Sequence, residues 1–150
     1  MHSPWQRILI GGIPAEVLDP GAGALRHALL WLHDEPAEPV ATNSRLTREL
    51  LARRLRCVAP LATDSWWLDR VSPQFHPEIS AEQHLLDTVI PWMESDAGFG
   101  CQGFAVAGIG IGGQGALRLG FRHPDRVPVV ASIAGALDFH ELYGRGTVLD

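Results

Sequence analysis

A chain of 150 residues, 46% hydrophobic and 19% charged, has the apolar material for one domain with a buried core and too little length for two. Its net charge of −5 excludes a general nucleic-acid binder, which needs a basic face, and favours no anionic membrane surface. All 12 basic residues are arginine, so Schiff-base, pyridoxal, P-loop and Ser-Lys or Tyr-Lys chemistries are excluded for want of an amine.

Taken in order, residues 7–13 read as a strand and 15–18 as a second, with Asp19-Pro20-Gly21 turning the chain. Residues 27–32 form a continuous apolar run of the kind buried on both faces in a parallel sheet, ended by His33-Asp34-Glu35-Pro36. After a loop to Asn43, Ser44 is placed to cap a helix with Leu46, Leu50, Leu51 and Leu55 on one face. Residues 57–61 are a short strand, and 62–77 a loop carrying Asp64-Ser65-Trp66-Trp67. Ser80-Ala81-Glu82-Gln83 is a capping box, opening a helix whose stripe is Leu85, Leu86, Val89, Ile90 and Met93. Pro91 should kink that helix or mark its last turns, since it lacks an N–H.

Residues 103–115 organise the rest. The apolar run Phe104 to Ala107 meets a glycine cluster, and Ala116-Leu117-Arg118-Leu119 then opens a helical pattern that stops at His123-Pro124. Strand, tight turn and helix follow one another, and a turn of this kind is where many enzymes place a nucleophile or a phosphate. Residues 127–134 read as a last buried strand, with 135–139 the loop beyond it. Strands and helices alternate without repeats or linkers, which predicts an α/β domain with a doubly wound, mostly parallel sheet.

Two cysteines, Cys57 and Cys101, make no disulfide framework and point to a reducing compartment. The apolar run before Gly11-Gly12 is too short for an ordinary signal segment, and no stretch approaches the ~20 apolar residues of a membrane span. The expected location is the cytoplasm.

Several constellations carry weaker signals. Gly108-x-Gly110-x-x-Gly113 matches a dinucleotide fingerprint, but no acidic residue ends the next strand about 20 residues on, and Asp138 comes late. His33-Asp34-Glu35 offers three metal-ligand types in a row, yet neighbours on an extended segment alternate in direction and no partner motif exists, so no metal is expected. Arg53, Arg54 and Arg56 read as a solvated helix end, and His123 as a favourable charge at a helix C-terminus. His140 and Glu141 follow the last strand, where a structural or surface role is expected ahead of a place at the rim of a cleft.

Read together, Gly108-x-Gly110-x-Gly112-Gly113-Gln114-Gly115-Ala116-Leu117, Arg122-His123-Pro124-Asp125-Arg126 and residues 132–138 resemble the esterase family of the α/β-hydrolase superfamily. That group includes esterase D, S-formylglutathione hydrolases and mycolyltransferases. The resemblance runs over roughly residues 25–140 and implies the N-terminal part of an α/β-hydrolase fold. It implies hydrolysis of a small-molecule carboxylic ester or thioester, without cofactor, through a nucleophile elbow, G-x-S-x-G-G.

Carried over by residue, the nucleophile position falls on Gly110, where the family has serine. The oxyanion N–H groups fall on Ile111 and on Asp34, which replaces the family's glycine after His33. His33, Trp66, Trp67 and Gln114 would contact substrate, the two tryptophans at the mouth of the pocket. Gly110 supplies no hydroxyl, and the family's acid and histidine would lie beyond Asp150, so the expectation is an impaired enzyme. The alternative is a non-catalytic ligand-binding or interaction module on the same fold. Ser132 and Cys101 are weighed as substitute nucleophiles and read as structural. A chain ending at Asp150 would leave residues 127–134 as an exposed edge, and self-association is expected there.

Overall fold

The computed structural model describes residues 3–138 and Gly144. Six strands form one sheet in the order β1-β2-β4-β3-β5-β6. β1 (Trp5–Ile10) and β2 (Ile13–Leu18) are an antiparallel hairpin, and β2 pairs antiparallel with β4 (Arg56–Pro60). From β4 onward, β3 (His27–Leu32), β5 (Gly103–Ile109) and β6 (Val130–Ile133) run parallel. The sheet is mixed and mostly parallel, as expected. The first strand is shorter than the predicted 7–13, because Gly11 and Gly12 (φ 58° and 81°) form a two-residue hairpin turn in what had been read as strand.

Successive residues of a strand face opposite sides, and two cores result. Leu30, Leu32, Val58 and Val106 face the side covered by α2 (Ala81–His84), α3 (Ile90–Glu94) and α4 (Ile111–Arg122). Trp5, Leu18, Trp31, Cys57 and Ala59 face the side covered by Leu50 of α1 (Ser44–Ala52). Helix α1 is capped by Asn43, not Ser44: the Asn43 Oδ1 accepts from the Leu46 N–H at 2.9 Å, and Ser44 is already helical. Leu51 stands outside the buried stripe. The Ser80 capping box is complete, with Ser80 Oγ accepting from Gln83 N–H at 3.1 Å and Gln83 Oε1 from Ser80 N–H at 3.0 Å. Pro91 acts through a π-helical turn, Leu85–Val89, in which Ile90 N–H reaches back to Leu85 O. The wider turn absorbs the missing donor without ending the helix.

Strand β6 is shorter than the predicted 127–134; Val129 and Ile133 are exposed, and β6 pairs with β5 alone among the described residues. An apolar composition does not distinguish a strand covered on both faces from one at an edge. No helix among the described residues is long and apolar enough to cross a membrane.

Helix α4 is held to α2 by a buried carboxylate. Glu82, 2% exposed, receives Arg118 Nε at 2.8 Å, Arg122 at 2.9 Å and His123 Nε2 at 3.1 Å. Arg54 and Arg56 are engaged as well, donating to Gly23 O at 2.8 Å and to Asp19 at 3.1 Å. The basic cluster therefore secures the turn before β3.

His84 lies in the core at 1% exposure beside Phe75, and neither ring nitrogen has a hydrogen-bond partner. Burial, aided by the charge of His76, pushes its pKa from 6.5 down to about 4. The unfolded chain therefore binds a proton that the folded chain refuses between those values. Stability is full above pH 6.5 and falls as pH drops toward 4, by about 2–3 kcal/mol. Urea unfolding at pH 7.5 and 4.5 should show that loss, and His84→Phe should remove it.

Candidate functional site

The crest of the site is the junction between β5 and α4. Gly110 lies at φ 58°, ψ −121°, a region that costs a residue with a side chain about 1–3 kcal/mol. Its N–H donates to Ile133 O at 3.0 Å, and its carbonyl accepts from Gln114 N–H and Ala136 N–H, each at 3.1 Å. Two residues on, a Cβ at Gly112 would overlap the carbonyl oxygens of Leu32 and His33, so glycine is required for α4 to start this close to β3.

The loop after β3 faces this crest. His33 is buried, its Nε2 accepts from Ala62 N–H at 2.9 Å, and its Nδ1–H donates to Asp34 O at 2.7 Å. Burial lowers its pKa, which keeps the ring neutral in the tautomer those two bonds require. Both nitrogens are used on backbone, so His33 shapes the loop and has no ring atom left for substrate. Trp67 is likewise corrected. At 0% exposure it lies beneath the mouth, its Nε1–H donating to His33 O at 3.0 Å and its ring packed on His33 at 4.8 Å. Trp66 is half-buried in the same loop, where Asp64, Trp66 and Trp67 all take positive φ values (56°, 51° and 55°). Strain of this kind in bulky residues marks a segment whose shape is imposed by its surroundings.

Asp34 does what the sequence reading missed. The resemblance gives it only a backbone N–H role; its side chain also reaches over the crest, and Oδ1 accepts from Ile111 N–H at 3.1 Å. The carboxylate fills the space a Cβ on Gly110 would need. Gly110 and Asp34, the two positions where the sequence departs from the esterase pattern it resembles, are thus in contact. Glu35 points elsewhere, accepting from Asp64 N–H at 2.9 Å, and burial raises its pKa. His33, Asp34 and Glu35 diverge onto three backbone amides, and no cluster of metal-ligating side chains occurs among the described residues.

Beside Asp34 lies a cavity of about 430 Å³ lined by Glu35, Glu38, Trp31, Asn43, Ile109 and Ile133, among others. It sits at the carboxyl ends of the parallel strands, where ligands of open α/β sheets bind. Gln114, 4% exposed in the first turn of α4, has no partner for Oε1 among the described residues. Ser132 lies on β6 with its Oγ against Gly113 and Gly135, away from any imidazole among its contacts. Cys101 precedes β5, whose seven residues put about 23 Å of strand between it and the crest, and burial raises its thiol pKa. His140 and Glu141 lie outside the described residues. A dinucleotide phosphate at the start of α4 would meet the Asp34 carboxylate, which argues against that fingerprint.

No family model matches the chain, and no curated protein matches it. Solved structures do. MPT51 (FbpC1) of Mycobacterium tuberculosis is 24% identical at a TM-score of 0.71, over 89% of this chain and 52% of that one. FphF, a fluorophosphonate-binding serine hydrolase of Staphylococcus aureus, is 15% identical at 0.73, over 93% and 60%. An S-formylglutathione hydrolase from Agrobacterium tumefaciens is 13% identical at 0.67, over 82% and 52%. The chain has an α/β-hydrolase fold, and it spans a little over half the length of these structures.

Proposed function

We propose that this chain is an esterase-like α/β-hydrolase, shaped for a carboxylic-ester or thioester ligand, whose elbow is catalytically impaired. One observation carries the reading: the backbone bends at Gly110 as an elbow does, with a hydrogen where a hydroxyl would stand and a carboxylate in the vacated space. Loss of the nucleophile costs a serine hydrolase about 10⁶ in kcat. Occupation of one oxyanion donor removes a further ~10²–10³. Gln114 and Trp66 are the side chains assigned to the ligand, Gln114 because its buried amide oxygen is unpartnered. The same reading places the chain in the cytoplasm, where the buried thiols of Cys57 and Cys101 stay reduced.

A fluorophosphonate probe tests the proposal. No covalent adduct should form on the native protein under conditions that label an active serine esterase to completion. Stoichiometric labelling, mapped by peptide mass spectrometry to a residue at the cleft, would overturn it.

A further inference from the structure

The first N–H groups of a helix have no intrahelical acceptor and carry its positive end, so the Ile111 amide attracts an anion. In this chain the anion is built in, since Asp34 Oδ1 sits on that amide at 3.1 Å. The cavity beside Asp34 adds Glu35 and Glu38 to its lining and, among the described residues, no arginine. An entering carboxylate or phosphonate would have to displace one negative charge while approaching two more. A nucleophilic role for Asp34 does not fit, because the amide that would hold a tetrahedral oxyanion is bound to the attacking carboxylate itself.

We infer that Asp34 is the specificity determinant of this cleft: an internal oxyanion surrogate that closes the Ile111 amide to anionic ligands and leaves the cavity to uncharged ester groups. The inference rests on reading the crest as an esterase-like elbow, and it deepens that reading by naming the ligand class the site refuses. Gly110 is its counterpart, because any side chain there would expel the carboxylate.

The test follows the Ile111 amide resonance in the ¹⁵N-labelled full chain, with methylphosphonate as the anion. In the wild type, Ile111 should not shift with methylphosphonate. In Asp34→Gly, methylphosphonate should shift Ile111 saturably, binding at least about tenfold more tightly than to the wild type. Asp34→Asn keeps an acceptor in place, so it should stay closed. Equal binding to wild type and Asp34→Gly overturns the inference, as does a folded Asp34→Gly that binds nothing. If that variant does not fold, a saturable shift of the wild-type Ile111 amide with methylphosphonate is enough to overturn it. Fluorophosphonate labelling reports separately on the elbow: labelling with an Ile111 that ignores methylphosphonate rejects the impaired-enzyme reading alone, and an Ile111 that binds methylphosphonate in the wild type without labelling rejects the surrogate alone.

Discussion

Gly110→Ser is expected to destabilise the protein by about 2–4 kcal/mol and to leave ester hydrolysis at the wild-type level. Part of the loss is the positive φ of 58°, which any side chain must tolerate there. The rest arises because the new side chain overlaps the Asp34 carboxylate and must drive it off the Ile111 amide. Among the described residues the one histidine lining the cavity, His33, has both ring nitrogens committed to backbone, so the new hydroxyl gains no base from it. In an Asp34→Gly background the same substitution should cost about 1–2 kcal/mol less, a coupling that a double-mutant cycle in urea measures. Additive costs would mean that the two residues do not touch, and a fast ester turnover by the single variant would mean that a base is within reach.

Trp67→Ala should be costlier still, about 3–5 kcal/mol. The side chain is wholly buried against Gly115, supports the His33 ring and donates to the His33 carbonyl at 3.0 Å. Its removal leaves a cavity under the loop that presents Asp34. Trp67→Phe keeps most of the volume and loses the donor, and about 1–2 kcal/mol is expected. Thermal or urea unfolding separates the two variants, and an alanine variant within 1 kcal/mol of wild type would show that the loop is held from elsewhere.

What was legible in the sequence was local. The Ser80–Gln83 box needs only partners three residues apart, and both of its bonds are present. The strand-turn-helix about Gly110 follows from an apolar run meeting glycines, and the parallel core from runs such as His27–Leu32. What escaped depends on distance in the chain. Asp34 and Ile111 are 77 residues apart, and nothing in either neighbourhood shows that a carboxylate will bridge them. The one available signal was the pair of departures itself: a residue gained beside a residue lost. Trp67 was read as a pocket wall because an aromatic in a long loop looks the same in sequence whether it faces water or the core. The apolar composition of residues 127–134 suits a buried strand, and it cannot report that β5 is the one strand alongside among the described residues.

The clasp on Glu82 has a consequence for ionic strength. Pairs such as Arg53–Glu49 and Arg56–Asp19 face water, and dissolved ions weaken them over a Debye length of about 10 Å at 0.1 M. Glu82 is shielded from those ions by the two helices it joins, with two guanidinium groups supplied from α4. Brine that erases the outer pairs should therefore leave the far end of α4 anchored, and with it the seat of the bend at the opposite end.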